Sequence, residues 1–112
     1  MSDKTKPAID CSQLERLDRP RQQELLEQLS GWSIGADGKL KRTFVVKNFA
    51  EALALANSVG AVAETIGHHP DLLVRWGALS IEIWTHSLSS ENDAALTEAD
   101  FFLAARIDEL KY

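Results

Sequence analysis

"NFAEALALANSVGAVAETIG", residues 48–67, is the stretch around which the rest of the chain is ordered. Asn48 is an N-capping residue type, and Glu51 three positions on gives the capping-box pattern. Phe49, Leu53, Ala56 and Ala63, flanked by Ala52, Val59 and Ile66, recur at the helical period and predict one broad apolar face. Gly67 follows as a stop, because glycine takes the left-handed conformation that closes many helices. A long helix is therefore predicted between two segments that read as strands.

Upstream of it, Asp18 caps a first helix with Pro20 in its first turn, and Leu25, Leu26 and Leu29 form its buried stripe up to Gly31. Trp32 to Ile34 reads as a short strand and "GADGK" as a hairpin turn centred on Asp37-Gly38. In the next strand, "LKRTFVV", Leu40, Phe44 and Val46 share a face. Downstream, "LLVRW" and "LSIEIWT" are strands joined at Gly77, with Leu79, Ile81, Ile83 and Thr85 on one side. "SLSSENDAA" is a polar loop, and Thr97 with Asp100 opens a last helix through Phe101, Ala104, Ala105, Ile107 and Leu110.

The order αββαββα with hairpin-length connections predicts an α+β fold. Its four-stranded antiparallel sheet has three helices packed on one face. The other face is expected to carry Arg42, Glu82 and Trp84, and an uncovered sheet invites self-association as a homodimer or homotetramer. At 112 residues the chain is expected to form one domain, 1–112, with residues 1–10 a flexible arm. A net charge of −5 argues against direct nucleic-acid or anionic-membrane partners, which need a basic face. Cys11 is the single cysteine, which allows no intrachain disulfide. With no apolar run near 20 residues and no signal-like start, the expected location is cytoplasmic and no membrane is expected as partner.

The chemistry concentrates in three histidines. His68 and His69 sit just past the long helix, with Glu64 in its last turn, and His86 closes the fourth strand. If the strand end passes the helix end, the rings converge, and imidazole can give or take a proton near neutral pH. Glu64 could then hold one ring in a fixed tautomer. Incidental surface or capping roles compete with this, since adjacent side chains diverge. A zinc site of three imidazoles plus water is a further alternative. The His-His spacing suits two ligands of one metal poorly.

The pattern Glu64, His68-His69-Pro70, Trp76, Thr85-His86 and Thr97-x-x-Asp100 resembles the pterin-4a-carbinolamine dehydratases, also called dimerization cofactors of a homeodomain transcription factor. The resemblance covers roughly residues 18 to 110. It implies the same small α+β fold in dimers or tetramers. It also implies dehydration of 4a-hydroxytetrahydropterin to quinonoid dihydropterin, which restores the cofactor of aromatic amino acid hydroxylases. His68, His69 and His86 would be catalytic and Glu64 supporting, with no metal and no bound cofactor. Backbone at Thr85 and Ser87 would bind the pyrimidine edge of the pterin. Trp76 would pack rather than stack on the substrate. A hydroxylase is the implied protein partner. The loop after His86 is about five residues longer than the family's and lacks its glycine, and Ser87 stands where many relatives carry an acid. A mobile rim over the site is the expectation for that loop. The alternative in another class is a non-catalytic protein that assists assembly or stabilises a dimer on the same fold, which would have no need of the histidines.

Overall fold

Asn48 Oδ1 accepts from the Glu51 N–H, and Gly67 turns the chain at φ 83°, so the long helix runs over Phe49–Ile66 (α2). The Glu51 carboxylate reaches the Lys47 N–H rather than that of Asn48. The computed structural model describes residues 14–90 and 93–111. The arm expected over residues 1–10 lies outside the described residues, as do Cys11, Glu91 and Asn92.

Around α2 the chain forms α1 (Arg19–Leu26), β1 (Ser33–Ile34), β2 (Leu40–Val45), β3 (Asp71–Arg75), β4 (Ala78–Ile83) and α3 (Glu98–Asp108), in the predicted order. The four strands make one antiparallel sheet in the spatial order β1-β2-β4-β3. Asp18 caps α1 as expected, but the helix stops five residues short of Gly31 because i to i+3 bonds to Leu25 and Leu26 tighten its last turn. Gly38 makes the β1–β2 turn at φ 89°, and a Cβ there would lie 2.7 Å from the Ala94 carbonyl oxygen. Only glycine satisfies both constraints.

One hydrophobic core lies between the sheet and the helices, built from Leu40, Phe44, Leu79, Ile81 and Ile83 of the sheet with Leu55, Val59, Ile66, Leu103 and Ile107 of α2 and α3. Cross-strand register aligns Leu40 with Ile83 and Phe44 with Leu79, and the same parity brings Arg42 to this side opposite Ile81. Arg42 was expected on the open face. Instead it crosses to Asp108 of α3 at 2.8 Å, which also accepts from the Trp32 indole N–H at 2.8 Å. The expected apolar face of α2 is likewise rotated. Leu55 is buried, whereas Phe49 and Leu53 are about half exposed, because the buried arc runs through Ala52, Leu55, Ala56, Val59, Ala63 and Ile66. Length and composition alone would let α2 cross a membrane, but here it packs along the sheet and against α3. Trp76, expected to pack, stands 75% exposed at the β3–β4 turn.

Candidate active site

The end of α2 sorts the two adjacent histidines. Gly67 and His68 both donate their N–H groups to the Ala63 carbonyl, and the left-handed turn at Gly67 sends His68 inward and His69 outward. His68 is buried, with its Nε2 2.6 Å from Asp100 Oδ1. His69 is exposed, with its Nε2 2.5 Å from Glu64 Oε2 on the last turn of the same helix. The imidazole that Glu64 meets is that of His69.

Asp100 is the residue that sequence reasoning left out of the site. Its side chain is fully buried and serves two structures at once. Oδ2 accepts from the Thr97 N–H at 2.8 Å, closing the predicted capping box of α3, and from the Thr85 hydroxyl at 2.8 Å. Oδ1 remains for His68. The Thr85 and Thr97 hydroxyls lie 2.8 Å apart, and Thr97 Oγ1 accepts from the Ala99 N–H, so the protons are accounted for when Thr97 donates to Thr85 and Thr85 to Asp100. The Thr97-x-x-Asp100 spacing announced the cap. It gave no hint that the second carboxylate oxygen would face a histidine 32 residues away in sequence.

This buried unit ties together the two chain segments that carry the remaining rings. His68 precedes His69, and Thr85 precedes His86, so the bonds through Asp100 join the end of α2 to the end of β4. His86 itself starts a single 3-10 turn, His86–Leu88, and is exposed. Its ring meets Trp84 edge-on at 4.4 Å between centroids and 88° between planes. Thr85 was expected to offer its backbone to a ligand, but its N–H donates to the Ala95 carbonyl and its own carbonyl accepts from Leu88 and from the Ser89 hydroxyl. Ser87 is exposed on the 3-10 turn.

The loop after His86 is fastened rather than free over its described part. Ser89 Oγ bridges the Thr85 carbonyl and the Ala95 N–H, Ser90 pairs with Asp93, and Ala94 to Leu96 are buried. Arg16 grips Asp93 at 2.7 Å, which raises the guanidinium's pKa and lowers that of the carboxyl. Beside the site, desolvation pushes the Asp37 carboxyl up, but the Lys39 N–H and the Lys41 ammonium outweigh it and hold the group below its ordinary value.

A buried acid therefore anchors one histidine, and two exposed histidines lie on the segments it joins. The family profile described as "Pterin 4 alpha carbinolamine dehydratase" matches residues 15–110. The chain belongs to the pterin-4a-carbinolamine dehydratase family. It is 41% identical over 113 residues to pterin-4-alpha-carbinolamine dehydratase 2, mitochondrial, of Arabidopsis thaliana, covering 96% of this chain and 58% of that protein. A Chlorobium luteolum protein given the same dehydratase name provisionally is 43% identical, with 96% and 92% covered. The chain thus spans little more than half of the plant relative and nearly all of the bacterial one. The dehydratases for which these relatives are named are hydro-lyases. Among solved structures, a Brucella melitensis protein described as a transcriptional coactivator/pterin dehydratase superposes at a TM-score of 0.71 with 28% identity, covering 84% of this chain and 96% of that one. A pterin dehydratase-like RuBisCO assembly factor of the alpha-carboxysome shares the fold at a TM-score of 0.53 and 24% identity, over 70% and 86% of the two chains.

Proposed function

We propose that this dehydratase removes water from 4a-hydroxytetrahydropterin to give quinonoid dihydropterin, regenerating the pterin used by aromatic amino acid hydroxylases. In the reaction the C4a–O bond breaks and the hydroxyl departs as water after gaining a proton. The N5 proton is lost, and the N5 electron pair forms the C4a=N5 bond. One imidazolium supplies the first proton and one neutral imidazole takes the second. His69 and His86 are assigned these two proton transfers. The observation that supports this most is their exposure on the two segments joined by the buried His68–Asp100–Thr85 bonds. His68, with its ring buried on Asp100, is assigned the positioning of both segments rather than contact with substrate. Glu64 orients His69. Ser87, exposed next to His86, remains available to the polar edge of the pterin, whereas Thr85 serves the scaffold.

Freshly generated 4a-hydroxytetrahydropterin followed by stopped flow tests the proposal, because the compound also dehydrates unaided and only a protein-dependent excess counts. The expected result is a rate proportional to protein concentration that persists after prolonged chelation. No excess over the unaided rate would overturn the enzymatic reading in favour of an assembly or dimer-stabilising role. Loss on chelation with recovery on adding zinc would make the imidazoles metal ligands.

A further inference from the structure

His68 and His69 each have a carboxylate against Nε2, but His86 has none: among the described residues, no hydrogen bond holds its ring nitrogens. A general acid or base on an exposed turn loses much of its efficiency if its ring samples many orientations, since small misplacements of reacting groups cost large factors in rate. What touches the His86 ring is the Trp84 indole, edge-on at 4.4 Å. Such T-shaped contacts are the favoured geometry for two aromatic rings.

Trp84 is in turn held from below. The β2–β4 register pairs Leu40 with Ile83, so the next step outward sets Lys39 opposite Trp84 on the open face of the sheet. Lys39 Nζ lies 4.1 Å from the indole centroid. The ammonium is itself fixed by Glu82 at 3.6 Å and Asp37 at 4.0 Å, while Lys41 shares both acids at 3.5 and 3.1 Å. One indole face is therefore occupied by a cation and is not available for stacking a flat substrate.

Building on the assignment of His86 to proton transfer, we infer that Trp84, clamped by Lys39, is a positioning residue that fixes the His86 imidazole. It takes the place of the carboxylates that hold the other two rings. The salt-bridged quartet of Asp37, Lys39, Lys41 and Glu82 is the base of that clamp. An incidental surface contact would leave catalysis untouched, and a substrate-stacking role would act on binding.

Single-turnover rates and KM for Trp84→Leu, Trp84→Phe, His86→Ala and the double variant Trp84→Leu/His86→Ala separate these possibilities. Trp84→Leu is expected to slow single turnover about tenfold or more, with KM changed by no more than about twofold. Trp84→Phe, which keeps an aromatic ring against His86, should restore most of the rate. In the His86→Ala background, Trp84→Leu should cost nothing further, because the ring it positions is gone. Lys39→Gln should give a smaller loss in the same direction. A wild-type rate in Trp84→Leu beside an impaired His86→Ala overturns the inference. So does an equal loss in both backgrounds, or a raised KM with the rate intact. The contact is also read without activity, from the indole ring-current shift of the His86 ring protons. Its persistence in Trp84→Leu overturns the positioning role. A full rate in His86→Ala, by contrast, defeats the assignment of His86 to proton transfer, and the ring shift still decides whether Trp84 holds that ring. Thermal melts of Trp84→Leu and Trp84→Phe confirm that the folded protein is what is measured.

Discussion

Asp100 bears more of the site than any other single side chain. It caps α3, holds the His68 ring and receives the Thr85 hydroxyl without any access to water. Removing one partner from a buried, hydrogen-bonded pair leaves the other desolvated and unpaired, so Asp100→Ala is expected to cost about 3–5 kcal/mol. His68→Ala should cost less, because Asp100 keeps its bonds from Thr85 and Thr97. The His69–Glu64 contact is exposed on both sides, and His69→Ala should stay within about 1 kcal/mol of the wild type. Urea denaturation of the three variants tests the ranking, and equal stability for Asp100→Ala and His69→Ala would contradict it. The sequence shows two equivalent neighbours at positions 68 and 69. Their division into a buried ring and an exposed one follows from the direction the chain takes after Gly67, which no local pattern encodes.

At the scale of elements, the described residues after β4, 86–90 and 93–97, behave as a strap. Ser89 links its two ends through the Thr85 carbonyl and the Ala95 N–H. The Ala94 N–H donates to the Asp37 carbonyl, and the Leu17 N–H to that of Leu96. Ser89→Ala removes two bonds and leaves the Ala95 N–H in need of a partner, while the Thr85 carbonyl keeps the N–H of Leu88, and is expected to cost about 1–3 kcal/mol. Thermal denaturation would show it, and an unchanged midpoint would restore the expectation of a loose rim. That expectation arose because serine, glutamate, asparagine and aspartate read as solvent-loving loop, whereas the strap is held by long-range bonds that composition does not reveal. The strands and α2 were legible for the opposite reason. Alternation in "LSIEIWT" and capping at Asn48 and Gly67 are local signals, and the fold obeys them. Arg42 departs from its expected face for a tertiary reason. Its strand parity puts it among apolar neighbours, and the charge is accommodated there only because Asp108 and the Ser30 carbonyl accept from it.

For the molecule as a whole, two surfaces are more apolar than a solitary small protein needs. Val45 is 77% and Leu73 57% exposed on the open face of the sheet, and Phe49 and Leu53 project from the outer side of α2. Exposed large apolar side chains on two faces favour association, so a dimer or tetramer is expected at micromolar concentration. Light scattering that reports a 12.4 kDa particle throughout that range would contradict this. The central claim is narrower. On the proposed function, two exposed imidazoles carry out the proton transfers, and the buried His68–Asp100 pair holds their segments in place. The most direct test is single-turnover dehydration of freshly generated 4a-hydroxytetrahydropterin by His69→Ala and His86→Ala, each checked for an intact fold. Both variants are predicted to lose at least about tenfold in rate. Rates equal to the wild type in both would contradict the account.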